Sequence, residues 1–158
     1  MNRFMEIAID EARKGMEHNH GGPFGAVVVK DGKIVSRAHN NVLRTNDPTS
    51  HAEILAIREA SAVLERFDLS DCQIYTSSQP CPMCLAAIYW ARIRTVYYGS
   101  DKDDVAAIGF DDSQIYNYIC NYVRGEEQEA EPELINIEKE KCLELLGEWD
   151  EKTDKQMY

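Results

Sequence analysis

The chain has 158 residues, the size of a single domain that buries roughly 68–70% of its unfolded surface. Hydrophobic residues make up 44% and charged residues 28%, which excludes an intrinsically disordered chain and predicts one domain over residues 1–158. The 17 basic and 28 acidic residues leave a formal net charge of −11, which argues against a nucleic-acid partner, because phosphate binders carry a basic patch or stripe.

Phe4, Ile7, Ala8, Ala12 and Met16 recur at helical spacing, so residues 3–17 are predicted as an amphipathic helix. Gly21-Gly22-Pro23 ends it. Phe24 to Lys30 is a short apolar run and predicts a buried strand; Asp31-Gly32 is a hairpin turn, and Lys33 to His39 forms the partner strand. A polar loop follows over 40–50. Ile54, Leu55, Ile57, Arg58 and Ala62 predict a second helix reaching about Arg66, and Gln73 to Ser77 a strand. Pro80-Cys81-Pro82 opens a third helix, since proline fits a first helical turn, and it runs to about Ala91. Thr95 to Tyr98 is a further strand. A loop and a short helix around Ser113–Asn121 come next, then an acidic connector from Gly125 to Glu133. Leu134 to Ile137 reads as a last strand and Lys139 to Trp149 as a helix.

Strand–helix–strand units imply parallel pairing, and the hairpin adds an antiparallel edge. The expectation is a three-layer α/β/α domain around a mixed five-stranded sheet. No run reaches the 18 apolar residues of a membrane span, and the first residues, Met1-Asn2-Arg3-Phe4-Met5-Glu6, do not look like a secretory signal. Five cysteines, an odd number, suit a reducing cytoplasm better than a disulfide framework.

The chemistry concentrates in two short stretches, His51-Ala52-Glu53 and Pro80-Cys81-Pro82-Met83-Cys84. Catalytic zinc takes three protein ligands from histidine and cysteine and keeps one position for water. His51, Cys81 and Cys84 make three. Cys81 and Cys84 share one face of the third helix, and its positive end favours thiolate over thiol. Glu53, in the first turn of its helix, is long enough to reach a group held by His51 and move a proton. Other readings compete. Cys-x-x-Cys alone is a redox pair, Ser50-x-x-Glu53 alone is a helix capping box, and a non-catalytic zinc module would need a fourth ligand such as His39 or Cys72. The combination of His-x-Glu with a later Pro-Cys-x-x-Cys is the signature of zinc deaminases.

On these residues the chain resembles the cytidine deaminase superfamily. The likeness extends to Gly22-Pro23-Phe24-Gly25-Ala26, Asn40-Asn41, Asp47-Pro48-Thr49 before His51, Leu85-x-Ala87-Ile88-Tyr89-Trp90-Ala91-Arg92 and Gly109-Phe110-Asp111-Asp112-Ser113, all similar to bacterial guanine deaminases. The resemblance implies one zinc ion per subunit and conversion of guanine to xanthine and ammonia, with Glu53 as proton shuttle and Asp112 as a second acid assisting the amine. It also implies that Asn40 bonds the purine edge, Phe24 stacks on the ring, Trp90 walls the pocket and Ala52 touches substrate. Turn, core and helix-cap roles are the ordinary alternatives for these residues. It implies a homodimer in which an exchanged C-terminal segment brings Tyr158 to close the site. Gln79 stands where the family usually has Glu. Cys72, Cys120 and Cys142 are expected to be buried structural thiols. The nearest alternative is a tRNA adenosine deaminase, which shares the metal motif but must bind an anionic stem-loop.

Overall fold

The structure is a computed structural model that describes residues 2–125, 136–154 and 156. The helices are α1 (Arg3–Glu17), α2 (Val42–Thr45), α3 (Ala52–Val63), α4 (Pro82–Trp90), α5 (Lys102–Ala107), α6 (Ser113–Arg124) and α7 (Lys139–Glu151). The strands are β1 (Gly25–Lys30), β2 (Lys33–His39), β3 (Cys72–Ser78) and β4 (Thr95–Ser100). The chain divides into two compact units, 1–116 and 117–158.

The first unit is built on a sheet of order β2-β1-β3-β4. The hairpin β1–β2 and the pair β1–β3 are antiparallel, while β3 and β4 run parallel across the α4 crossover. The sheet is mixed, as expected, but it has four strands among the described residues rather than five. The expected fifth lay at 134–137. Residues 134 and 135 fall outside the described residues, and Asn136 and Ile137 have no strand partner. A short apolar stretch gains ladder hydrogen bonds by extending only where a neighbouring strand receives it.

Asn2 caps α1 by accepting hydrogen bonds from the amides of Phe4 and Met5. The hairpin turns on Asp31 and Gly32 with φ of 49° and 70°, the two left-handed positions a two-residue turn demands. Because strand side chains alternate, β1 serves two cores. Val27 and Val29 face α1 and pack with Ala8, Tyr75 and Phe4. Ala26 and Val28 face the opposite side, with Ile74, Ala52, Ala56 and Ala60 of α3 and Ile88 of α4. That is the three-layer arrangement. α1 crosses so close to β1 that a Cβ on Gly25 would sit 2.0 Å from the Ala8 carbonyl oxygen.

The topology also decides where a site can form. β1 runs against β2 and β3, and β4 runs with β3. The start of β1 therefore meets the ends of β2, β3 and β4 at one edge of the sheet. Phe24, Asn40, Gln79 and Lys102 all project from that edge.

Among the described residues, the helices of the second unit are the remainder of α6 and α7. α7 exposes Leu143, Leu145, Leu146 and Trp149. No helix among the described residues is long and apolar enough to cross a membrane. Cys72 is buried as expected, but Cys120 and Cys142 are exposed, because they lie on these two helices and not in the sheet core.

Candidate active site

α3 and α4 both begin at the site, and their cap residues are two of the three candidate metal ligands. His51 caps α3 and Cys81 caps α4, both with extended backbone, and neither spends its side chain on capping. The extended cap explains how His51 and Glu53 converge despite a spacing wrong for one helical face. Pro82 follows at the first helical position. Ser50 does not form a capping box with Glu53: its hydroxyl donates to Asp47 Oδ2 at 2.9 Å.

His51, Cys81 and Cys84 come together with their candidate ligand atoms all within 4.8 Å of one another, and they are the one such group among the described residues. Cys81 Sγ lies 3.6 Å and Cys84 Sγ 3.5 Å from His51 Nδ1. Tetrahedral zinc with ordinary Zn–S and Zn–N lengths separates sulfur from nitrogen by about 3.6 Å. The donor set and spacing therefore fit zinc without rearrangement. Neither candidate fourth ligand is present: His39 bonds Glu11 and His20, and Cys72 starts β3 beside Asp71.

The electrostatics are those of a site short of positive charge. A hydrogen bond from Cys84 and another from His51 pull the Cys81 thiol down to about 4, against the effect of burial. Cys84 is pushed far up by its bond to Cys81, by burial and by Glu53. The bond between His51 and Cys81 raises His51, although burial opposes it. Glu53 is 8% exposed. Burial raises its carboxyl first, and the Cys81 charge adds to that.

A cavity of about 500 Å³ opens beside these residues and is mostly apolar. Phe24 lines it and meets Phe110 edge-on, with centroids 5.1 Å apart and planes at 84°. Asn40 is buried in its wall; its amide N–H donates to the Phe24 carbonyl, and its Oδ1 accepts from the Val42 amide at 3.2 Å. Asp112 faces the cavity, its carboxyl raised by burial and by the Cys81 charge. It does not cap α6 through its side chain; Asp111 takes that bond, accepting from the Ser113 amide at 2.9 Å. Gln79 lines the rim and accepts from the Lys102 amide at 3.3 Å.

Two residues expected to touch substrate are not among those lining the cavity. Ala52 is fully buried in the core between His51 and Glu53. Trp90, at the end of α4, is 65% exposed and does not line the cavity. Tyr158 lies outside the described residues. Lys102, Val42 and Ile115 line the cavity without having been singled out in the sequence, where no motif marks them.

Residues 1–100 match the family described as the cytidine and deoxycytidylate deaminase zinc-binding region. The chain belongs to this deaminase family. It is 53% identical over 116 residues to the guanine deaminase of Bacillus subtilis, covering 73% of this chain and 74% of that protein. It superposes on the X-ray structure of a Bacillus subtilis guanine deaminase with a TM-score of 0.88 and 42% identity, covering 100% and 99% of the two chains. The tRNA-specific adenosine deaminase of Agrobacterium fabrum is more distant, 43% identical over 105 residues, covering 66% of this chain and 68% of that protein. The resemblance read from the motifs therefore holds, and this chain is a guanine deaminase homologue.

Proposed function

We propose that the protein is a hydrolase of purine catabolism that converts guanine and water to xanthine and ammonia, binding one zinc ion per subunit at His51, Cys81 and Cys84. The observation that carries the reading is the three-ligand cluster opening on an apolar cavity that also holds a buried glutamate. Bound there, zinc supplies the Lewis acidity that makes hydroxide available near neutral pH.

The remaining steps belong to the side chains. Glu53 accepts the proton of the attacking water and delivers it to the ring nitrogen beside the carbon bearing the amine. Its burial supports this role, because a raised carboxyl pKa suits a group that must both take and give a proton. As the carbon–nitrogen bond breaks, Asp112 helps the amine depart as ammonia. Phe24 stacks on the purine. The Asn40 carbonyl oxygen is engaged by Val42, so its NH₂ is the group offered to the purine edge.

We place Trp90, Ala52 and Tyr158 among the substrate contacts on resemblance, as one deaminase domain whose C-terminal segment is exchanged in a homodimer. The outward Leu85, Tyr89 and Trp90 of α4 support a second copy covering this surface. The free thiols support a reducing compartment, the cytoplasm. An overall charge of −11 supports a free base over a tRNA substrate.

The test is ammonia release from a panel of free bases, nucleosides and an anticodon stem-loop. Xanthine from guanine, with no reaction of adenine, cytosine or the stem-loop, is the expected result. Inosine formed in the stem-loop with guanine untouched would reverse the assignment.

A further inference from the structure

Behind the Asn40 wall lies a chain of titratable groups that the chemistry above does not use. Glu11 of α1 is buried, 6% exposed. Its Oε1 accepts from Lys14 Nζ at 2.7 Å and lies 3.5 Å from Arg37 Nε. Its Oε2 faces His39 Nδ1 at 3.3 Å. The opposite ring nitrogen, His39 Nε2, is 2.9 Å from His20 Nδ1, and the two ring planes are only 21° apart, as an in-plane hydrogen bond permits. The His39 side chain packs against Gly15, where a Cβ would sit 2.7 Å from its Cδ2.

His20 joins three segments. Its amide donates to the Gly15 carbonyl at the end of α1, and its carbonyl accepts from the amides of Leu43 and Arg44 in α2. Gly21 follows it and packs directly on the Asn40 side chain, where a Cβ would sit 2.0 Å from Oδ1. Gly21, Gly22, Asn40, Val42 and Leu43 all line the cavity. His39 immediately precedes Asn40.

We propose that His39, anchored by Glu11, is a positioning residue for the base-binding wall: its hydrogen bond to His20 fixes residues 20–24 and 40–43 in the arrangement that meets the purine. This inference rests on the guanine reading of the cavity. It requires one proton between the two imidazoles. Glu11 is ionised: burial pushes its carboxyl up, but bonds from Lys14 and His39 and the charges of Lys14 and Arg37 outweigh burial. His39 Nδ1 therefore carries hydrogen toward it, and either His20 donates to His39 Nε2 or a charged His39 donates to His20. The bridge survives one positive charge on the pair and breaks at two, when both facing nitrogens carry hydrogen. Burial lowers the His20 pKa first, and the charges of Arg44, His39 and His18 lower it further. His20 therefore takes a proton of its own only below the ordinary histidine range, and the wall loosens in acid once both facing nitrogens carry hydrogen.

The experiment is steady-state kinetics on guanine for wild type, His20→Leu and His20→Asn from about pH 5.5 to about pH 8.5, with ¹⁵N NMR titration of the imidazoles. His20→Leu removes the bond and raises KM about fivefold near neutral pH, with a smaller effect on kcat. Asparagine places an amide nitrogen where His20 has Nδ1, so His20→Asn restores KM to within about twofold of wild type. It also removes the rise in KM that wild type shows toward acid. The spectra of wild type show the two rings titrating as a coupled pair. An unchanged KM in a folded His20→Leu, an acid rise retained by His20→Asn, or independent titration of the rings would each overturn the proposal. A wild type that leaves guanine untouched refutes the substrate reading instead, and the NMR titration then still decides whether the bridge exists.

Discussion

His51 Nδ1 lies 3.5 Å from Cys84 Sγ, across 33 residues of chain. The contact exists because α3 and α4 start at the same edge of the sheet, so the cap of one helix and the first turn of the other share one corner. Cys84 is fully buried and has no route to solvent on its own account. Cys84→Ala is expected to lose zinc, with affinity falling at least about 10²-fold, as judged by metal analysis after dialysis against a chelator. Full zinc retention would show that the metal is held elsewhere.

Asp112 tests the second half of the proton chemistry. It lines the cavity while its neighbour Asp111 does the capping. Asp112→Asn keeps the shape and removes the acid, so kcat on guanine should fall on the order of 10²-fold with zinc content unchanged. Wild-type kcat in this variant would leave Asp112 a bystander.

How much of this was readable beforehand depended on distance along the chain. The candidate metal ligands and Glu53 sit in two short stretches whose spacing carries the chemistry; α1 and α3 declare themselves by the spacing of their apolar residues and α4 by the prolines at its start. The apolar run puts Phe24 at the start of a buried strand; in the fold it stands just before β1, which begins at Gly25, and lines the cavity. The short helices α2 and α5, of four and six residues, are too brief to show a period. The pairing of His20 with His39 depends on how far β2 extends past the end of α1, a register that no local signal fixes. The fifth strand expected over 134–137 lies partly outside the described residues, and a short apolar run says that a segment could extend, not that a neighbour awaits it.

Gly25 reports on the closest approach between layers. A Cβ there would meet the Ala8 carbonyl oxygen at 2.0 Å and the Ala12 amide nitrogen at 2.7 Å, both backbone atoms of α1. Neither can rotate away, so the helix must shift. Gly25→Ala should destabilise the fold by about 3 kcal/mol, visible as a lowered Tm. A Tm equal to wild type would mean that α1 packs more loosely than described.

Asp71 gives a pH test that is independent of the site. Hydrogen bonds from Lys30 and Arg66 draw its carboxyl from 3.8 to about 2. A group depressed in the folded state stabilises above its unfolded value and loses that contribution as pH falls through its folded value. Asp71→Asn should therefore lower Tm modestly at neutral pH, the pair being exposed to solvent. The difference from wild type should vanish as the pH falls from 3.8 to about 2. A difference that persists in acid would assign it to packing instead of charge.

The central claim, a zinc hydrolase whose protons pass through Glu53, is tested most directly by measuring zinc content and guanine turnover together in Glu53→Gln. Glutamine keeps the size and hydrogen-bonding reach of the side chain but cannot accept the proton of water. Zinc retained at the wild-type level with kcat lowered on the order of 10⁴-fold is the predicted result. Turnover near that of wild type with zinc still bound would contradict it.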